Sequence, residues 1–428
     1  MDIKNLKSPI SIQLELTENC NNRCIYCYNF WNYEDKLPKI DTRLGLSEFK
    51  RIIDKLKEAK IFQVVFTGGE PFLRKDILFD LLEYSRKNDL DLDINTNLVA
   101  LNGEDINRIG EFCMGFLISF PDCNEKKYNK ITGSKNYSKF LKNLELLVKY
   151  DNPITVNMVV TRENIDSVYE TGKFIKNNFG INNFCATPIS GTKGTNNHNN
   201  LTLDSNEVLY VLEDLINLSK DFNIIVDSLQ PLPFCMYPKE KIEKYKQFLK
   251  RSCAAGKTTA TISPNGELRP CSHAQQLYGN VFERSIKEVW NDMQLWRSMD
   301  IMPDKCKPCD VLNDCMAGCR TSAEYYNGSI KAEDPLTTEA IKNGKSILNV
   351  TSLNEKTIKS GNRYKITENI KYRHEGDNIY TVYHSGKTCF VDENILKVIT
   401  ASKFIDTNGL NNKGLIAVTQ LLNTGIIT

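Results

Sequence analysis

The chain has 428 residues, with 55 Lys+Arg against 53 Asp+Glu and a formal net charge of +2. That balance excludes both a strongly basic nucleic-acid binder and a strongly acidic solvating chain. Hydrophobic residues are 41% and charged residues 25%, an ordinary globular composition. A chain this long buries roughly 75% of the surface its unfolded form exposes, so the 14 Cys are not needed as stabilising bridges.

No stretch reaches the roughly 18 consecutive apolar residues of a membrane span, and MDIKNLKSPISIQLEL at the N-terminus lacks the apolar core and cleavage site of a secretion signal. The expected location is cytoplasmic, with no membrane and no nucleic-acid partner. In a reducing compartment, thiols at this density point to metal or redox chemistry.

In chain order, SIQLEL (Ser11 to Leu16) reads as a strand. A helix capped at Ser47 runs to about Lys60. Strand QVVFT (Gln63 to Thr67) follows, then a helix from Lys75 to Asn88 and strands DLDINT (Asp91 to Thr96) and Met114 to Ser119. A helix from Tyr137 to Tyr150 precedes a strand from Thr155 to Val160. Then come a helix from Ile165 to Asn178 and a strand from Asn183 to Thr187. Repeated βα units predict a parallel sheet, open or curled towards a barrel. Pro188 to Thr202 reads as a long surface loop, and a helix spans Ser205 to Asp221. From about Gln230, Pro231, Pro233 and Pro238 break regular structure and Cys becomes dense, as in a metal-nucleated domain. Beyond Pro335, Asn378 to Val391 reads as a hairpin turning at Ser385-Gly386, with helices near Glu393 to Ile399 and Lys413 to Asn423. Cys113 and Cys185, in apolar strands, read as buried core thiols.

Cys20, Cys24 and Cys27 share one short loop directly after the first strand. Three thiolates there suit a cubane iron–sulfur cluster with one iron left open, whereas structural zinc would want a fourth Cys or His nearby. TGGEP (Thr67 to Pro71) ends the second strand. Gly68 and Gly69 permit close backbone approach, and Glu70 offers an acceptor for an ammonium group.

The two motifs together resemble the radical S-adenosylmethionine superfamily, which carries C-x3-C-x2-C after its first strand and GGE after its second. The resemblance covers about residues 8–187 and implies a partial (β/α)6 barrel. It implies a [4Fe–4S] cluster on Cys20, Cys24 and Cys27, whose open iron S-adenosylmethionine chelates. Glu70 would hold the methionine amine and Tyr26 would contact adenine. Asn95, Asn97 and Ser119, at strand ends, would meet ribose and carboxylate. After Ser119 the family often has Asp, where this chain has Phe120-Pro121.

Cys253, Gly266, Cys271, Cys306, Cys309, Cys315 and Cys319 form a second pattern. Six soft ligands exceed the needs of one site and suit one or two further iron–sulfur clusters; a pair of zinc knuckles is the alternative. The pattern resembles the SPASM extension of radical S-adenosylmethionine enzymes, with two auxiliary [4Fe–4S] clusters. By that resemblance Cys253, Cys271 and Cys319 serve the first cluster, and Cys306, Cys309 and Cys315 the second. The usual further Cys before Gly266 and the usual last Cys are missing, so both fourth ligands are open. Cys235 is a candidate for the first, Asp334 or Asp314 for the second. Alternatively one iron stays free for a substrate thiolate.

The expected architecture is α/β. A radical S-adenosylmethionine barrel spans 8–229, a SPASM domain 230–336, and a small C-terminal α+β domain 337–428. This last segment resembles the winged-helix element that binds leader peptides by strand addition. The resemblance implies an oxidoreductase that modifies a ribosomally made precursor peptide, with a ferredoxin or flavodoxin as electron donor. A thioether from Cys sulfur to carbon is the first choice. Carbon–carbon or carbon–oxygen crosslinking, epimerisation, anaerobic sulfatase maturation and a non-enzymatic iron–sulfur or zinc protein stand as alternatives. The Asp that sulfatase-maturing enzymes carry after the Cys equivalent to Cys271 is Ser272 here.

Overall fold

The computed structural model describes residues 6–29, 44–112, 114–192, 198–342, 344, 361–408 and 410–428. Cys113 and residues 193–197 of the expected loop lie outside them.

The first half alternates strands and helices. β1 is Ser11–Glu15, α1 Leu46–Glu58, β2 Gln63–Thr67, α2 Lys75–Lys87, β3 Asp91–Thr96, α3 Gly103–Gly110, β4 Gly115–Ser119, α4 Glu125–Thr132 and α5 Tyr137–Leu147. β5 Ile154–Val160, α6 Val168–Phe179, β6 Asn183–Pro188, α7 His198–Leu201, α8 Ser205–Phe222 and β7 Ile225–Asp227 follow. β1 to β7 pair in parallel, each with its sequence neighbour. Such pairing requires crossovers, which the amphipathic helices supply. In α1, Phe49, Ile52, Ile53 and Leu56 recur at helical spacing and are all buried. Ile12, Leu14, Val64, Phe66 and Ile94 fill the sheet's apolar faces.

Two local expectations are corrected. α1 begins at Leu46 and its cap is Gly45, two residues before Ser47; the Glu48 carboxylate reaches back to the Gly45 N–H at 3.0 Å. α3 and α4 add two helices, opened by the side chains of Asn102 and Asn124.

The Cys-rich segment is not wholly irregular. β8 Thr259–Ile262, β9 Glu267–Arg269 and β10 Gly279–Asn280 belong to the same sheet, whose order is β10-β9-β8-β1-β2-β3-β4-β5-β6-β7. β8 runs parallel to β1 and pairs Ser11 with Thr259. The chain thus crosses from one end of the sheet to the other between β7 and β8. α9 Ile286–Asp292, α10 Gln294–Arg297, α11 Leu312–Cys315 and α12 Arg320–Asn327 follow.

The C-terminal segment has β11 Arg363–Lys365, β12 Lys371–Gly376, β13 Ile379–His384 and β14 Lys387–Asp392. Next are α13 Glu393–Ala401, β15 Phe404–Asp406 and α14 Asn412–Asn423. The β13–β14 hairpin turns at Ser385-Gly386, both at positive φ, as its sequence predicts. β12, β13 and β14 form an antiparallel sheet in that order. Val382, Cys389, Val391, Ile395, Leu396, Val418 and Leu421 give this unit its own core.

One buried side chain fastens it to the barrel. The Arg373 guanidinium donates to Ser8 Oγ at 2.6 Å and to the carbonyls of Ser8 (2.7 Å), Pro9 (2.8 Å) and Lys60 (3.0 Å). It also pairs with Glu375 at 2.7 Å. Tyr383 stacks on Phe62 with centroids 5.0 Å apart and donates to Asp91 at 2.9 Å. These barrel residues stand at the N-terminal ends of β1, β2 and β3. Among the described residues, no helix is long and apolar enough to cross a membrane.

Replacing Arg373 by Met keeps the stem but removes the cation facing Glu375, which keeps only Lys7 N–H and Thr381 Oγ1, and the donor to three backbone carbonyls. Such a loss costs about 3–5 kcal/mol. The midpoint of chemical unfolding should fall, and amide exchange should quicken at residues 8–10 and 60–62. Unchanged exchange there would remove Arg373 from its role as fastener.

Candidate metal centres and cosubstrate site

The loop bearing Cys20, Cys24 and Cys27 leaves the C-terminal end of β1, and backbone bonds hold it from two sides. Gly69 N–H donates to Thr17 O and Glu70 N–H to Asn19 O, both at 2.8 Å. From α4, the carbonyls of Thr132 and Ile131 accept from Arg23 N–H (2.8 Å) and Ile25 N–H (3.0 Å). The two glycines are required by this contact. Gly68 sits at φ +132°, and a Cβ on Gly69 would lie 2.2 Å from Asn19 O. The GG pair therefore seats the Cys loop.

The three thiols lie close enough to feel one another's charge. Burial pushes Cys20 up to about 12 and Cys24 higher still, and their mutual repulsion adds to this. Thiolates here need compensation, which metal ions supply by deprotonating their ligands outright. Cys20 Sγ accepts from Asn22 N–H at 3.5 Å and Asn97 Nδ2 at 3.6 Å. N–H donors of this kind accompany iron–sulfur ligands. Among the described residues, no three His, Cys, Asp or Glu side chains converge as tightly as a lone ion requires.

Glu70 is fully buried at the start of the next turn. One carboxylate oxygen accepts from Phe72 N–H (3.1 Å) and Thr96 Oγ1 (2.8 Å), and the other from Asn97 N–H (2.8 Å). Burial lifts it to about 7 against the pull of these donors. Asn97 also donates to Asn21 Oδ1 at 2.7 Å, tying the end of β3 to the Cys loop. The structure thus brings Gly68, Gly69, Glu70 and Asn97 together around Cys20. Tyr26 is half-buried beside Cys24 and Tyr128, with its hydroxyl turned towards the Cys24 sulfur. Asn95 and Ser119 lie further along the sheet, in register with Leu117 and Asn157.

Seven of the remaining thiols form two sets. Cys253, Cys271 and Cys319 feel one another's charge, and burial pushes Cys271 up to about 12. Cys319 N–H donates to Asp334 at 2.8 Å, and its sulfur lies 3.2 Å from Thr321 Oγ1 and 3.6 Å from Ser190 Oγ. Cys306, Cys309 and Cys315 line a small enclosed space that Cys235 also lines. This corrects the expectation for Cys235, which stands with the second set and not the first. Asp334 is also reassigned. Its oxygens accept from Cys319 N–H and from Leu336 N–H at 2.9 Å, so it serves backbone near the first set. Neither Asp334 nor Asp314 lines the enclosed space.

Buried cations accompany these thiols. Arg320 is 1% exposed and donates to the carbonyls of Ala317, Ile330 and Ala332, and its charge reaches Cys253 and Cys306. Lys257 is buried, its Nζ has no hydrogen-bond partner among the described residues, and it attracts Cys253 and Cys315. A cavity of about 700 Å³ opens beside Cys253, with Asp227, Arg251, Lys257 and Arg297 in its wall. At the end of β1, Glu15 pairs with Arg269 at 2.5 Å, and Arg269 Nε donates to Cys271 O at 3.2 Å. This pair links the Cys20 side of the sheet to the Cys271 loop, and Tyr28 stacks on His273 across the same junction at 4.4 Å. Sequence reasoning missed Glu15, Arg269, Lys257 and Arg320 because a single charged residue gives no spacing signal.

Residues 14–175 match the family described as the radical SAM superfamily, and residues 253–316 match SPASM, an iron–sulfur cluster-binding domain. The chain carries a radical S-adenosylmethionine domain followed by a SPASM domain. Its cofactors are accordingly S-adenosylmethionine and iron–sulfur clusters, which the three thiol sets fit. The PqqA peptide cyclase of Granulibacter bethesdensis is 26% identical over 344 residues, spanning 77% of this chain and 87% of that protein. That of Gluconobacter oxydans is 25% identical over 339 residues, spanning 77% and 90%. Among solved structures, Streptococcus suis SuiB bound to precursor peptide SuiA aligns with a TM-score of 0.63 at 18% identity, covering 77% of this chain and 76% of that one. Native anSMEcpe with bound AdoMet aligns at 0.61 and 16% identity, covering 81% and 96%. At these identities the structural likeness establishes a shared fold.

The Gly69 contact yields a direct test. Gly69→Ala forces Asn19 O aside and should cost the chain the iron of the Cys20 site while sparing that of the other two sets. Iron counting on anaerobically purified protein reads this, with a Cys20→Ala chain as reference. Full iron content in Gly69→Ala would contradict the seating role.

Proposed function

We propose that this chain is a radical enzyme that modifies a ribosomally made precursor peptide by joining two of its residues, first of all Cys sulfur to carbon. The observation that carries the reading is the three thiol sets of one chain, the first seated by a GGE turn and the others beside a cavity. The similarity to peptide cyclases over 77% of the chain supports it.

When bound, the cofactors supply a 5′-deoxyadenosyl radical that takes one hydrogen from the peptide, and they accept the electron left when a second hydrogen departs as a proton. Cys20, Cys24 and Cys27 hold the cluster that S-adenosylmethionine meets, and Asn97 tempers the charge on Cys20. Glu70 presents its remaining lone pairs to the methionine amine, Tyr26 serves adenine, and Asn95 and Ser119 serve the sugar and carboxylate. The barrel wall orients the target carbon and excludes water. Cys253, Cys271 and Cys319 hold the first auxiliary cluster, Cys306, Cys309 and Cys315 the second. The cavity beside Cys253 gives a substrate thiol access to the first. A ferredoxin or flavodoxin is the reductant.

We assign residues 8–229 to the barrel, 230–336 to the auxiliary sites and 337–428 to peptide recognition. Among the described residues β14 pairs only with β13, so its outer edge is open to an added strand. Joining through carbon or oxygen is the second reading, because ring closure within a peptide does not specify the atoms.

Co-expression with a candidate precursor peptide should yield a peptide lighter by two hydrogens per crosslink, read by mass spectrometry. A Cys24→Ala chain should form neither crosslink nor 5′-deoxyadenosine. Persistent 5′-deoxyadenosine would contradict the Cys24 assignment, and an unchanged peptide mass would remove crosslinking. Deleting residues 361–428 should weaken peptide affinity at least tenfold while sparing uncoupled 5′-deoxyadenosine formation, and undiminished affinity would defeat the recognition role.

A further inference from the structure

We infer that Cys235 is the fourth thiolate of the second auxiliary site, so that Cys235, Cys306, Cys309 and Cys315 form a closed four-sulfur set. The inference rests on the reading of Cys306, Cys309 and Cys315 as cluster ligands and adds a residue that lies far outside their spacing pattern.

Three observations carry it. Cys235 and the three thiols line one small space, whose other walls include Pro233, Val311, Leu312 and Ile341, with Lys305, Thr337 and Glu339 as the polar part of the lining. The four Cys are the only sulfur donors among these lining residues, and Glu339 is the only carboxylate among them. The backbone is also arranged for charged sulfur. Phe234 N–H donates to Cys315 Sγ and Thr338 N–H to Cys235 Sγ, each at 3.3 Å. The first bond comes from the residue preceding Cys235, so one short turn, Phe234–Met236, presents a ligand and serves another. Finally, Cys235 is held in place. Thr338 Oγ1 donates to Cys235 O at 2.6 Å, pinning the turn under the segment that ends at Ile341.

The assignment has a consequence for the first auxiliary site. The other described thiols are engaged elsewhere. Cys185 is buried in β6, Cys389 lies in the C-terminal core, and Cys123 is beside Thr171. With Cys235 committed to the second set, Cys253, Cys271 and Cys319 stand as a set of three thiolates, of which Cys253 lines the cavity.

The test compares the full-length, anaerobically purified chain with its Cys235→Ala, Cys235→Ser and Cys306→Ala variants. The readouts are iron and sulfide per chain and electron paramagnetic resonance in the oxidised and reduced states. Cys235→Ala should lose one cluster's share of iron or show a three-iron signal on oxidation, and Cys235→Ser should retain the cluster with a shifted reduction potential. Far-ultraviolet circular dichroism of all three variants reports that the chain is folded. Iodoacetamide labelling read by peptide mass spectrometry gives an answer without mutation. Cys235 should be protected in the cluster-loaded chain and labelled once a chelator has stripped the iron. Rapid labelling of Cys235 in the loaded chain, or unchanged iron and spectra in Cys235→Ala alongside losses in Cys306→Ala, would overturn the assignment. Unchanged iron in Cys306→Ala as well would instead remove the second cluster itself.

Discussion

A thiolate inside a protein is tolerable only where something positive faces it, and much of this molecule is arranged around that constraint. Burial drives the thiols of Cys20, Cys271 and Cys315 to about 12, so these sulfurs would stay protonated unless a cation met them. The chain provides partial offsets. Backbone and side-chain N–H groups point at Cys20, Cys235 and Cys315, and Arg320 and Lys257 lie among the auxiliary sulfurs. Two buried cations and a few amides cannot neutralise ten sulfurs, and irons complete the balance. The same residues that build the fold's Cys-rich half therefore leave it incomplete until metal enters.

The sheet fixes how the sites relate. β8 lies between β1, which leads to Cys20, and β9, which leads to Cys271, so a single strand separates the two at this junction. The Glu15–Arg269 pair crosses that same junction inside the protein, where a lone charge would be costly. The seam holds the first auxiliary loop and the cosubstrate loop as one rigid edge, and substrate positioning needs such rigidity.

Much of this was legible in the sequence. The βα alternation gave the parallel strands with ends close to those observed, because β-branched and aliphatic runs separated by amphipathic helices admit few other arrangements. The Cys spacings and GGE marked the loops that the structure brings together at the end of β1, since residues on one loop leave a local pattern. Asn102 and Asn124 offered cap signals for α3 and α4 that passed unread beside longer periodic helices. Cys235 could not be paired with Cys306 from spacing, nor β8 with β1, because both contacts join segments far apart in the chain. The isolated Cys235 among Pro231, Pro233 and Pro238 was the one available hint: a stiffened turn carrying a single soft donor.

The Arg373 fastener sets a geometric condition on any peptide gripped by the C-terminal unit. That unit is clamped to the entry ends of β1, β2 and β3, whereas the Cys20 loop emerges from the exit end of β1. Five residues of strand separate the two levels, a height of about 17 Å. A polypeptide anchored below and processed above must climb that wall, so roughly five extended residues are consumed before any side chain reaches the radical. Were residues 361–428 to grip a precursor, a spacer shorter than that height would leave its target short of the Cys20 loop.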